Sequence, residues 1–122
     1  MAKTILVVDD SMSFRQVVGM AIRGAGYDVL EAVDGQHGLS FLDGRKIHLI
    51  VSDVNMPVMD GITFAREAKL LPVYKFTPIV MLTTEAGPEM KERGKAAGVR
   101  AWIVKPFQPT ALLDAISKLV LP

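Results

Sequence analysis

Four short stretches of the chain are wholly apolar and stop abruptly at polar residues: Ile5–Val8, Leu49–Val51, Ile79–Leu82 and Ala101–Val104. Runs of this length, rich in Val and Ile, predict strands buried on both faces. A fifth run, Asp28–Val33, is less cleanly apolar and predicts a strand nearer a sheet edge. Between the runs the period changes. Phe14, Val17, Val18, Ala21, Ile22 and Ala25 recur at helical spacing, so an amphipathic helix is expected over residues 12–25. Ser11 or Ser13 can cap its start, and Gly26 suits the left-handed position past its end. Leu112, Leu113, Ile116, Leu119 and Val120 predict a final helix over 110–120, with Pro109 near its first turn. Shorter helices are expected at 36–43 and 61–70. Residues 88–97, PEMKERGKAA, predict a helix with little apolar surface beyond Met90 and with Gly94 inside it, hence loosely held. Asp34-Gly35 reads as a turn.

Five strands alternating with five helices predict an α/β fold, a parallel sheet covered on both faces with right-handed crossovers. At 122 residues one domain over 1–122 is expected, with no separate output domain. Half of the residues are hydrophobic and 22% are charged, an ordinary globular balance. Net charge is +1 and the basic residues are scattered, which argues against nucleic-acid binding. No run reaches the ~18 apolar residues of a membrane span. The chain has no cysteine, which excludes disulfides, thiolate metal sites and a thiol nucleophile and suits a cytoplasmic setting.

In an open parallel sheet, ligands bind beyond the carboxyl ends of the strands. Asp9 and Asp10 follow the first apolar run, Asp53 the third strand, Thr83 and Thr84 the fourth, and Lys105 the fifth. Singly, each has a bland explanation as a cap, a turn residue, a β-former or an exposed lysine. Together they place three carboxylates, a hydroxyl and an ammonium on one rim. Clustered carboxylates raise one another's pKa, and a divalent cation relieves this; oxygen-only ligands select a hard ion such as Mg²⁺. A carboxylate beside that ion can attack phosphorus, with Thr83 donating to one phosphoryl oxygen and Lys105 neutralising another.

VVDDS, SDVNMPVMDG, MLTTE and VKPF, taken together, resemble the receiver domain of two-component response regulators, especially the stand-alone CheY-like chemotaxis regulators. The resemblance covers the whole chain. It implies a (βα)5 doubly wound, flavodoxin-like sheet of strand order 2-1-3-4-5. It implies Asp53 as phosphoacceptor, and Mg²⁺ held by Asp10, Asp53 and the Asn55 backbone carbonyl, with Asp9 acting through water. Lys105, set by a cis bond to Pro106, would contact the phosphoryl group; Thr83 would be the switch hydroxyl and Trp102 the switch aromatic, where many chemotaxis regulators carry Tyr. Asn55 and Glu85 would orient or admit the water that ends the signal. A CheA-like sensor histidine kinase is the implied donor, and the target a flagellar motor switch or another signalling protein, bound by a cytoplasmic monomer. Turnover of outside substrates is not expected.

Three rival readings fit the sequence less well. A haloacid-dehalogenase-like phosphatase needs a second acid two residues after its nucleophile, where this chain has Asn55. A flavodoxin-like flavin carrier needs a phosphate loop after the first strand, where Asp9 and Asp10 would repel the anion. A degenerate scaffold would lack a required residue, and none is missing. Alternation along the fifth strand places Trp102 and Val104 opposite Ile103 and Lys105, so Trp102 is expected to point away from the rim, towards helix 88–97.

Overall fold

A computed structural model of the chain describes residues 2–84 and 87–120. Its strands are β1 (Thr4–Val8), β2 (Asp28–Ala32), β3 (Leu49–Ser52), β4 (Ile79–Thr83) and β5 (Ala101–Val104). They alternate with α1 (Met12–Gly24), α2 (Gly35–Ser40), α3 (Gly61–Leu70), α4 (Pro88–Ala96) and α5 (Pro109–Leu119). All strand pairs are parallel, in the order β2-β1-β3-β4-β5. A short 3₁₀ turn, Pro72–Tyr74, was not expected from the periodicity.

The two-residue period of the strands divides the core into two layers. Leu6, Val8, Ile50 and Met81 face Ile62, Phe64, Ala65 and Ala68 of α3. Ile5, Val7, Leu49, Val51, Val80 and Leu82 face Val18 and Ile22 of α1 and Leu112 and Ile116 of α5. Burial on both faces explains why β1, β3 and β4 read as unbroken apolar runs. β2 is an edge strand, as its weaker pattern implied.

Three expectations need correction. β5 is not buried on both faces: it is the other edge, and Val104 is 44% exposed. It has one strand neighbour, and α4 beside it buries only Gly94. On α1, Val17 is exposed and Arg15 buried, so the core-facing stripe is narrower than the apolar positions alone implied. Asp34-Gly35 is a helix start and not a free turn, because Asp34 Oδ1 accepts from His37 N at 2.7 Å and caps α2. The same side-chain bond makes a turn or a cap, which leaves local sequence ambiguous. Ser11, of the two serine candidates, caps α1, accepting from Phe14 N at 3.3 Å. Gly26 takes the expected left-handed backbone, at φ 97°.

The loop from β3 to α3 holds a strained residue. Val58 has φ 70°, and Met59 N donates to Pro57 O at 2.7 Å, closing a three-residue turn around it. A β-branched residue there costs about 1–3 kcal/mol, and glycine's freer unfolded chain costs about 1 kcal/mol. Val58 is mostly exposed, so little packing is lost on truncation. Val58→Gly is therefore expected to stabilise the protein by about 1 kcal/mol, seen as a melting temperature roughly 4 °C higher. An unchanged or lower midpoint would contradict the strain assignment.

Candidate functional site

β1 and β3 are neighbours, so the residues that leave their carboxyl ends must meet. Asp9 N donates to Ala32 O at 3.1 Å and Asp53 N to Val8 O at 3.0 Å, which carries the sheet's hydrogen bonding one residue beyond the strands. Oxygens of Asp9, Asp10 and Asp53 lie within 4.8 Å of one another. Asp9 is buried, Asp53 half-buried and Asp10 exposed. Lys105 enters from the end of β5. Its Nζ donates to Asp9 Oδ2 at 3.0 Å and to Asp53 Oδ2 at 3.2 Å. The other oxygens are held by backbone: Asp9 Oδ1 accepts from Ser11 N at 2.9 Å, and Asp53 Oδ1 from Val54 N at 2.7 Å. The Lys105–Pro106 peptide is cis, as the resemblance implied.

Thr83 is fully buried at the end of β4, and its carbonyl accepts from Lys105 N at 2.9 Å. Asn55 is exposed, two residues beyond Asp53. Trp102 is not at the rim. It packs into the α3–α4 layer, its ring so close to α4 that a Cβ on Gly94 would lie 2.4 Å from Cζ3. Glu85 lies outside the described residues. Arg15 was missed by sequence reasoning: Nη1 donates to the Asp9 carbonyl at 2.5 Å and Nε lies 3.5 Å from Glu31 Oε1. A charged residue within an apolar helical stripe was the available signal.

One ammonium faces three carboxylates, so the cluster keeps excess negative charge. Burial, opposed by the bonds from Ser11 and Lys105, pushes the Asp9 carboxyl above its ordinary 3.8. An all-oxygen donor set of this kind fits a hard divalent cation. The native state thus holds the Asp9 proton more tightly than the unfolded chain does. Its contribution to metal-free stability grows as pH falls from neutral through the raised pKa and levels off below 3.8. Asp9→Asn removes the buried charge and keeps an acceptor oxygen. Without divalent metal it is expected to melt higher at pH 7, with the gain shrinking on acidification; a lower midpoint would show that the Lys105 pair outweighs burial.

Residues 5–117 match the response regulator receiver domain, and the chain belongs to that family. Within it the chain is CheY-like. It is 36% identical over 114 residues to chemotaxis protein CheY1 of Helicobacter pylori, covering 92% of each chain. The solved structure of chemotaxis protein CheY4 of Vibrio cholerae superposes with a TM-score of 0.93 at 45% identity, over 98% of this chain and 99% of that one. The receiver domain of sensor histidine kinase PA1611 of Pseudomonas aeruginosa, solved with magnesium in its active-site cleft, gives 0.91 at 26% identity over 98% of both chains. Two longer curated relatives match at 38% and 37% identity, and the chain spans 13% and 48% of their lengths. The chain is therefore a receiver of a two-component response regulator, a signalling family. Among the described residues no helix is long and apolar enough to cross a membrane.

Proposed function

We propose that this receiver accepts a phosphoryl group on Asp53 from the phosphohistidine of a sensor kinase and signals through a surface that phosphorylation reshapes. The observation that carries this reading is the convergence of Asp9, Asp10, Asp53 and Lys105 on one rim. An Asp53 oxygen attacks phosphorus, the bond from phosphorus to the histidine nitrogen breaks, and the imidazole leaves with that electron pair. Asp10, Asp53 and the Asn55 carbonyl would hold Mg²⁺, with Asp9 behind them. Bound there, the ion would neutralise the carboxylates and the phosphoryl oxygens. Lys105 meets a further phosphoryl oxygen, and the Val54 amide keeps the Asp53 carboxylate oriented. Asn55, exposed beside the site, orients the water that later hydrolyses the acyl phosphate, a role the resemblance extends to Glu85. The protein then resets itself and turns over no outside substrate.

The chemotaxis proteins among the relatives support a chemotaxis setting. The reading extends to a cytoplasmic location, a CheA-like kinase upstream and a motor switch or another signalling protein downstream. Met12, Val17 and Met20 are exposed on α1, which starts at the acid pair, and offer apolar contact to a docking donor. Output passes from the Thr83 hydroxyl to Trp102 and the α4–β5–α5 face. Trp102 is the chain's only tryptophan, so its emission reports this step alone. Mg²⁺ with beryllofluoride, a phosphoryl mimic, is expected to change the emission of wild type and to leave Thr83→Ala unmoved. The same response in both proteins would disconnect the hydroxyl from the aromatic.

A further inference from the structure

Lys105 has a third neighbour besides its two carboxylates. Its Nζ lies 3.7 Å from the centroid of the Phe14 ring, well inside the range at which an aromatic face attracts a cation. The ring is itself fixed. Phe14 sits in the first turn of α1, where its amide is capped by Ser11, and Phe107 meets it edge-on with centroids 5.6 Å apart and planes at 67°. Lys105 and Phe107, the residues flanking Pro106, thus rest on one ring. Only 15% of the Lys105 side chain is exposed, so the contact is little weakened by water.

We propose that Phe14 is a positioning residue that acts through Lys105, its ring holding the ammonium at the rim beside Asp9 and Asp53. This rests on the proposed role of Lys105 at the phosphoryl group. A lysine stem has four rotatable carbons, and the ammonium shares its carboxylates with any cation that enters the acid cluster. Two like charges drawn to the same oxygens repel, and a free lysine would swing out to solvent. The ring gives the ammonium a resting place that needs no carboxylate. Two consequences have opposite signs. In the metal-free site the ring strengthens Lys105 as a competitor for Asp9 and Asp53, which weakens Mg²⁺ binding. Once the cation is in place, the ring keeps Lys105 close enough to meet the phosphoryl oxygens, which speeds transfer.

A purely structural Phe14, a hydrophobic wedge under Phe107, predicts no such split. Loosened packing would impair metal binding and phosphoryl transfer alike.

The test compares wild type, Phe14→Leu, Phe14→Tyr, Lys105→Met and the Phe14→Leu/Lys105→Met double variant. Mg²⁺ affinity is measured by calorimetry without donor, and the initial rate of labelling by acetyl phosphate is measured at saturating Mg²⁺. Contacts of this type shift an equilibrium by about two- to thirtyfold. Phe14→Leu is expected to bind Mg²⁺ at least about twofold more tightly and to be labelled at least about twofold more slowly. Phe14→Tyr, which keeps the aromatic face, restores both values towards wild type. On the Lys105→Met background the Phe14→Leu change alters neither, because the ring has no cation left to hold. Equal values for Phe14→Leu and wild type would overturn the proposal, as would parallel losses in both measurements or an undiminished effect without the ammonium. Wild type that takes no label at all would overturn the phosphoacceptor reading, and this proposal with it.

Discussion

Gly61→Ala is expected to cost more than about 3 kcal/mol and to displace the candidate phosphoacceptor, although residue 61 carries no functional group. A Cβ at Gly61 would lie 1.9 Å from the Asp53 carbonyl oxygen, 2.9 Å from its carbonyl carbon and 3.0 Å from Val54 Cα. All three obstacles are backbone, so no flexible side chain can swing aside. The Gly61 amide also donates to Val54 O at 2.8 Å, which pins α3 against the end of β3. Relief requires breaking that bond or moving Asp53. Against a total stability of roughly 5–15 kcal/mol, the loss is a large fraction. Circular dichroism should show a melting temperature lower by about 10 °C or more, and labelling by acetyl phosphate should fall even below the transition. A midpoint within a degree or two of wild type would mean that the α3 connection yields easily.

Asp53→Asn is expected to abolish phosphoryl uptake while leaving the fold in place. An amide keeps the shape of the carboxylate and an oxygen to accept from Val54 N or Lys105. It has no anionic oxygen to attack phosphorus, and its loss removes one of three charges from a cluster served by one ammonium. Function and stability therefore part company here, as they do wherever an active site concentrates like charge. The variant should melt at or above the wild-type temperature in metal-free buffer. Asp10→Ala should act differently: it leaves the nucleophile but weakens Mg²⁺ binding, so labelling should recover in part at high Mg²⁺.

Much of this could be read from residue order because the sheet enforces two simple periods. Strands covered on both faces give unbroken apolar runs, and β1, β3 and β4 stood out for that reason. Each run also ends where polarity changes sharply, so Asp9, Asp10, Asp53, Thr83 and Lys105 stand out in the sequence as strand-end residues. The resemblance, and not the periodicity, supplied the strand order. What stayed hidden depended on contacts between distant elements. The half-exposed state of β5 follows from its edge position and from an α4 that buries only Gly94. Arg15 shares the apolar face of α1, but nothing local shows that the Asp9 carbonyl and Glu31 converge on it. Gly61 looked like an ordinary helix start, and only the approach of the Asp53 backbone explains why a side chain is excluded there. Strand alternation directs Trp102 towards α4, but its close seat on Gly94 depends on how the helix and strand approach each other.

The central claim is that Asp53 becomes an acyl phosphate. It is tested most directly by intact-mass measurement of wild type and Asp53→Asn after incubation with acetyl phosphate and Mg²⁺, with chelator controls. The expected result is a single added phosphoryl group on wild type, dependent on the divalent ion and lost on standing, and none on the variant. Undiminished labelling of Asp53→Asn, or label on wild type that resists chelation and persists for many hours, would contradict the account.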